Sequence, residues 1–513
     1  MTDFDFFGTE DQTGNKAAGQ ASGLTADPAA DQDGSPELEI SFEYDYEHIL
    51  ADGKDKNVKL CASVRPSDAL RRLFERSGGN QGAHICLVID TSQSMYFVLP
   101  NTGAVRTGKH GVDEHGRVIE YARGGLSRIN IAIESAKKVV DLMRPGDTLS
   151  CITYDNDARV IFRDLTIADR DKIVKSIGSI ATKGLSTNIS AALTLADKEL
   201  SAYDDSKPKR VLFFTDGEPT GEDTEERGIS VGKTLASHNI AVESMGFGSD
   251  EVNFPYLQKI SAESGGVTNL INYPDEFASV FTSLFAQSQS VVVTNARLVL
   301  RLVPGTKVYD YYRGTPDNVY LGNREGSDER TFEINLGQIE KNQMYKYYFN
   351  VVLQGVDDYE GQLNTMSAEL RYFVPGRHND EEQVVKVNVP VTYTFDEDEA
   401  SEINGNVNVL FRLAEVKRFD EEREKAFKAG DTEGTVKWIR RIISVCTELQ
   451  KPDEAKAYTE MLNQYMSTNK ISKAVLNKAV SSSSQAQETG LLGDLDDDET
   501  SEFANRLKQR RRH

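Results

Sequence analysis

The run Ile85-Cys86-Leu87-Val88-Ile89-Asp90-Thr91-Ser92-Gln93-Ser94-Met95 constrains this chain more than any other stretch. Its apolar first half has the pattern of a strand covered on both faces, as in a parallel sheet lying between helices. The turn that follows carries a carboxylate, Asp90, and two hydroxyls, Ser92 and Ser94. Two later segments bring matching chemistry. One is Gly184-Leu185-Ser186-Thr187-Asn188-Ile189, which leads into a predicted helix; the other is Val211-Leu212-Phe213-Phe214-Thr215-Asp216-Gly217, a second buried strand that ends on an acid. Ligands of such sheets sit beyond the C-terminal ends of the strands, so all three segments are expected to open onto one face.

Asp90, Ser92, Ser94, Thr187 and Asp216 together suit a hard divalent cation. Magnesium takes a near-octahedral shell of oxygens, keeps several waters, and is usually held by one or two carboxylates. Manganese accepts the same kind of oxygen set. Two aspartates balance the charge of the ion, and one vertex is left for a carboxylate brought by a partner. The pattern holds no thiol or imidazole, which disfavours zinc and copper. An isolated D-x-S-x-S is a common turn or capping sequence; the weight lies in the three segments taken together.

In this combination the chain resembles the von Willebrand factor type A domain, whose metal-ion-dependent adhesion motif reads D-x-S-x-S, then a threonine, then an aspartate. All five positions are filled, with a departure at Gln93, where glycine is common between the serines. The resemblance implies that Asp90, Ser92, Ser94, Thr187 and Asp216 coordinate magnesium or manganese directly or through water. It also implies that a protein partner supplies an Asp or Glu side chain. In outline the likeness extends to bacterial multidomain members of the family.

At 513 residues the chain exceeds what one core supports. Apolar and polar residues alternate through Leu38, Ile40, Phe42, Tyr44 and again through Val58, Leu60, Ala62, Val64, which marks half-buried strands. Two strands are not stable alone. Further strand candidates at 296–302, 345–353, 368–373 and 384–393 would complete them. The fold expected is therefore multidomain. A doubly wound α/β domain at 82–289 is inserted into an antiparallel β-sandwich split between 37–66 and 290–395, and an α-helical region follows at 400–480. Within the inserted domain, Ile129, Ile133, Ala136, Val140 and Met143 recur at helical spacing until Pro145-Gly146 stops them. The arm 1–36 and the tail 481–513 have disordered composition. Phe4, Phe6 and Phe7 are the apolar exception in the arm, either a docking motif or merely a sticky end.

The formal net charge of −22 opposes a nucleic-acid-binding face; only 506–512 is basic, and such a short tail is expected to be solvated. No apolar stretch approaches the roughly 20 residues that span a bilayer, so no membrane insertion is expected. The start lacks the basic and apolar regions of a secretory signal. Cys61, Cys86, Cys151 and Cys446 are scattered and read as buried thiols in a reducing compartment, hence a cytoplasmic location. Asp494, Asp496, Asp497 and Asp498 lack the glycine at the sharp turn of a calcium loop.

Between Met95 and the helix near Leu126 lies a Gly-rich stretch with Lys109, His110, Asp113, Glu114, His115 and Arg117, longer than the family usually has there. It is expected to be a loop without regular structure that covers the open vertex and selects partners. Its histidines are expected to face solvent. The function expected is a non-enzymatic, metal-ion-dependent protein-binding module that docks an acidic side chain, as a scaffold in a cytoplasmic complex. One alternative is a magnesium-assisted hydrolase, for which Glu218 is the only tempting base and no Ser-His-Asp or G-x-S-x-G pattern is found. The other is a structural scaffold whose metal orders loops.

Overall fold

The computed structural model describes residues 36–76, 82–99, 102–112, 118–182, 184–216, 218–248, 252–271, 274–327, 329–378 and 381–485. The expectations for the arm with Phe4, Phe6 and Phe7, for 113–117, and for the acidic and basic ends of the tail lie outside these residues.

The chain opens with β1 (Leu38–Tyr44), β2 (His48–Leu50), β3 (Lys56–Pro66) and α1 (Asp68–Arg76). There follow β4 (His84–Asp90), β5 (Val105–Val112), β6 (Val118–Arg123), α2 (Arg128–Leu142), β7 (Thr148–Tyr154), β8 (Ala158–Leu165), α3 (Arg170–Gly178) and α4 (Ile189–Leu200). Next come β9 (Lys209–Thr215), α5 (Glu225–Ser237), β10 (Ile240–Phe247), α6 (Phe254–Ser264), β11 (Thr268–Ile271) and α7 (Pro274–Ser288). A run of strands succeeds them: β12 (Val291–Leu302), β13 (Thr306–Thr315), β14 (Val319–Asn323), β15 (Thr331–Glu340), β16 (Tyr345–Leu353), β17 (Gly361–Phe373) and β18 (Gln383–Thr394). Four helices close the described chain: α8 (Gly405–Lys428), α9 (Thr432–Glu448), α10 (Pro452–Thr468) and α11 (Lys473–Gln485).

The α/β unit is built on a six-stranded sheet of order β11-β10-β9-β4-β7-β8. Its pairings are parallel except that of β7 with β8. Every residue of β4 is buried, and the strand feeds two cores by alternation: Ile85, Leu87 and Ile89 pack with α2, α3 and α7, while Cys86 and Val88 pack with α4, α5 and α6. Burial on both faces is what a continuous apolar run requires. From β4 the chain moves to β7 on one side and later returns to β9 on the other. The crevice beyond the ends of β4 and β9 is thus a topological switch point, where ligands of such sheets sit.

Strands from before and after this unit interleave in two five-stranded sheets, of order β1-β3-β16-β13-β14 and β15-β12-β17-β18-β2. Their inward residues, among them Leu60, Val64, Phe349, Leu298, Leu370 and Val389, form one core cluster. One pairing departs from the all-antiparallel expectation: β2 lies parallel to β18. At three residues it is too short to show period-two alternation, so nothing local specifies its direction. Helix α8 covers the outer side of the first sheet, with Val407, Leu410 and Phe411 packed on Cys61, Tyr312 and Tyr348.

Several elements differ from the sequence expectation. The stretch 96–125 is not structureless, since β5 and β6 form an antiparallel hairpin. Helices α1 and α3 and strands β11, β13, β14 and β15 lie outside the elements expected from the sequence, although β15 alternates Phe332, Ile334 and Leu336 with polar residues and α1 spaces Leu70, Leu73 and Phe74 along one face. Helix α11 runs to Gln485, past the expected end of order at 480. Among the described residues no helix is long and apolar enough to cross a membrane, and the four cysteines are free and buried.

Candidate functional site

Asp90 ends β4, and its carboxylate is fully buried. Its Oδ1 accepts the Ser92 backbone N–H at 2.8 Å, closing the turn. Its Oδ2 accepts the Thr215 hydroxyl at 2.9 Å and, more weakly, the Tyr154 hydroxyl at 3.4 Å. Ser92 is buried at φ −64°, ψ 165°, and Gln93 opens a single 3-10 turn that extends to Tyr96. A side chain in place of the family's common glycine is therefore accommodated, because Gln93 does not have positive φ.

The turn meets the end of β9 through side-chain oxygens. Ser92 Oγ lies 3.0 Å from Ser94 Oγ, and Ser94 Oγ donates to Asp216 Oδ1 at 2.8 Å. Asp90, Ser92, Ser94 and Asp216 are thus joined in one hydrogen-bonded cluster. No hydrogen bond joins the Thr187 hydroxyl to this cluster, but its loop meets the Ser92 turn. Gly184 bridges in parallel to Ser92, the Asn188 N–H donates to the Asp155 carbonyl at 2.9 Å, and Thr187 itself is buried. Its backbone N–H donates to Thr220 Oγ1 at 2.7 Å and its carbonyl accepts the Thr220 N–H at 3.0 Å. A Cβ on Gly184 would fall 2.3 Å from the Asp155 Cβ, so the close approach of the two loops needs glycine there.

Two buried carboxylates in one crevice repel each other, and burial disfavours charge on either. Burial first, and then the charge of Asp216, push the Asp90 carboxyl above the usual carboxylate range. Arg128 Nη1 brings positive charge to Asp216, lying 2.6 Å from its Oδ2 with its own side chain buried. The guanidinium also lies over the Phe97 ring, 5.4 Å from its centroid. The cluster consists of carboxylate and hydroxyl oxygens with an excess of negative charge, which is the donor set of a hard cation. Among the described residues no group of three or more His, Cys, Asp and Glu side chains is placed to hold a metal. The hydroxyls are therefore essential to any such site.

The sequence reading missed Arg128, Thr215, Tyr154 and Asp155. Nothing in the sequence singled out Arg128: it is the first residue of α2, where the helix dipole favours an acid, and its burial, which implies an anion beside it, appears only in the structure. Glu218, the tempting base, is directed elsewhere, its Oε1 lying 3.0 Å from Lys473 Nζ at the start of α11. His110 is exposed, as expected.

Residues 85–218 match the family model described as the von Willebrand factor type A domain. An uncharacterized protein of Synechocystis sp. is 24% identical over 391 residues, 75% of this chain and 81% of that one. Human inter-alpha-trypsin inhibitor heavy chain H2 is 24% identical over 200 residues, 37% of this chain but only 21% of the longer protein. Among solved structures, the von Willebrand factor type A protein from Catenulispora acidiphila superposes with a TM-score of 0.66 at 17% identity, covering 89% of this chain and 98% of that chain. The ArnB paralog VWA2 from Sulfolobus acidocaldarius gives a TM-score of 0.52 at 15% identity, over 88% and 99% of the two chains. At these identities the likeness is one of fold, and it takes in the flanking sheets and helices as well as the α/β unit.

Proposed function

Taking as premise that this chain carries a von Willebrand factor type A domain, we propose that it is a metal-ion-dependent protein-binding module acting as a scaffold in a cytoplasmic complex. Domains of this family typically mediate protein–protein interaction through their adhesion site. The observation that carries the reading is the cluster Asp90–Ser92–Ser94–Asp216, in which oxygens from two strand ends are drawn into contact at the switch point of the sheet.

In this reading Asp90, Ser92, Ser94, Thr187 and Asp216 hold magnesium or manganese. A bound cation would supply a Lewis-acidic vertex to which a partner's Asp or Glu carboxylate adds. The rest is the work of the chain. Thr215 and Tyr154 orient Asp90, and the Ser92 N–H fixes its turn. Asp155 and Thr220 hold the Thr187 loop, and Arg128 holds Asp216. The two antiparallel-rich sheets are read as one split sandwich that carries the inserted α/β domain at 82–289, with the helices of 400–480 as additional surface. Free, buried thiols fit a reducing compartment. The hydrolase reading is disfavoured because its candidate base, Glu218, pairs with Lys473.

Isothermal titration with magnesium, comparing wild type with Asp216→Ala, tests the site. The variant should bind more than about tenfold more weakly, since it loses a charged ligand. Partner recovery from the native host should then fall with chelator and with Asp216→Ala. Equal recovery with and without chelator would remove the bridging mechanism.

A further inference from the structure

The outer face of α9 carries a row of positive charge that runs against the composition of the chain. Thr435, Ile439, Ile442, Val445 and Cys446 are buried, and the last four belong to the helical core. On the solvent side Lys437, Arg440, Arg441 and Ser444 stand at i, i+3, i+4 and i+7, all exposed, and form one row along the helix. Exposed cations on the neighbouring helices are paired: Lys425 with Glu422 and Lys428 with Glu424 on α8, and Lys478 of α11 with Glu460 of α10, each at 2.7 Å. Among the described residues, Lys437, Arg440 and Arg441 have no carboxylate partner. Glu433, one turn before Lys437, forms no ion pair with it, and Glu448 is held by Arg412 at 2.7 Å. In a chain of 81 acidic and 59 basic residues, cations gathered within two turns have acids in plenty, yet these meet none.

Two of them are held by aromatic rings instead. The Arg441 guanidinium lies over Phe419, its Cζ 5.5 Å from the ring centroid, and Lys437 Nζ lies 5.1 Å from the centroid of Trp438. The two rings stack on each other, 5.6 Å apart and 20° from parallel. Arg418 also covers Phe419, at 4.8 Å, but its charge is met by Asp310 and Glu415, each 3.7 Å away. A ring face positions a cation without neutralising it. The heads of Lys437 and Arg441 are thus held in place with their donors unspent, which lowers the ordering cost of capturing an anion.

We propose that this face of α9 docks a short acidic segment of a protein partner, whose Asp or Glu carboxylates take the guanidinium forks of Arg440 and Arg441 and the ammonium of Lys437. A guanidinium matches a carboxylate in bidentate geometry. Neighbours in the row lie about 5–6 Å apart, close to the roughly 6.6 Å between alternate side chains of an extended segment. A nucleic acid fits less well. Its phosphates need a broad basic face, whereas α8 and α9 also carry Glu415, Glu422, Glu433 and Glu448. The contact uses no metal ion and is independent of the reading of the adhesion site.

Trp438 is the only tryptophan of the chain and lies beneath Lys437, so its fluorescence reports on this face. The full-length protein in EDTA is titrated with a capped hexaglutamate peptide, and with capped hexaglutamine as the neutral control. The Trp438 spectrum should change saturably with hexaglutamate alone, and the affinity should fall severalfold as salt is raised. In the double variant Arg440→Gln, Arg441→Gln the dissociation constant should rise at least about tenfold. Both side chains are exposed, so the substitutions leave the fold in place. No saturable change, or one of equal strength in the variant, would overturn the proposal and leave a solvated helix face. A tighter response to a uridine hexanucleotide than to hexaglutamate would overturn it in favour of a nucleic acid.

Discussion

Arg128 meets Asp216 from the first turn of α2 and supplies positive charge where the two aspartates need it. Removing one partner of a buried ion pair costs about 3–5 kcal/mol, because the other charge is left buried. Arg128→Met should therefore destabilise the metal-free protein by roughly that amount. Magnesium should stabilise the variant more than the wild type, since a ligand of the folded state shifts stability by mass action and the guanidinium no longer competes for Asp216. Urea denaturation with and without magnesium measures both increments; equal increments would mean that arginine and cation do not share Asp216. His84 offers a separate test. Its ring stacks on Tyr203 with centroids 3.8 Å apart, and Nδ1 lies 2.8 Å from Thr148 Oγ1. Burial first, then Lys207 and Lys209, push the imidazole down to about 4. The unfolded chain takes up its proton near the ordinary value of about 6.5, so this contribution is complete above pH 6.5 and is lost as the pH falls toward 4. The denaturation midpoint of His84→Gln should decline less over that interval than that of the wild type.

Elements were legible where their period was strong. Strands β4 and β9 and helix α2 stand within a residue or two of their expected limits, because burial of a whole strand or a helical stripe is written into consecutive residues. The hairpin was not legible. Glycines at 103, 108, 111, 124 and 125 mimic a loop, yet Gly111 makes room for Tyr121, whose hydroxyl lies 2.6 Å from where a Cβ would sit. Because the hairpin side chains are largely exposed, replacing 105–123 by two glycines should change global stability by less than about 1 kcal/mol, read by denaturant unfolding. Helix α11 was masked in another way, since its run of serines reads as low complexity. Those serines are anchored by the buried Lys417, whose Nζ donates to the Val480 carbonyl at 2.8 Å, Ser483 Oγ at 2.8 Å and Ser484 Oγ at 2.6 Å. Lys417→Met strands these acceptors at a cost of about 1–3 kcal/mol. Amide exchange in 473–485 should then accelerate more than exchange in α9.

For the molecule as a whole, the buried Arg210 ties the α/β unit to the strands beside it. From β9 it bonds Glu243 of β10 at 2.7 Å and Gln338 of β15 at 3.0 Å, and it pairs with Glu340 of β15. Arg210→Met leaves two acids without this partner and should cost about 3–5 kcal/mol, whereas replacing Arg210, Glu243 and Glu340 together by apolar residues should cost less. Thermal unfolding of the two variants decides. The sequence by itself determined the buried strands, the helices that alternate with them, and the clustering of acids and hydroxyls at strand ends, because each of these is expressed in the spacing of near neighbours. Only the tertiary structure decided that Arg128 faces Asp216, that β2 joins β18 in parallel, that a glycine-rich stretch pairs into a hairpin, and that Lys417 anchors the end of α11. Those contacts join residues that share no local period; which of them meet depends on how the chain returns through space.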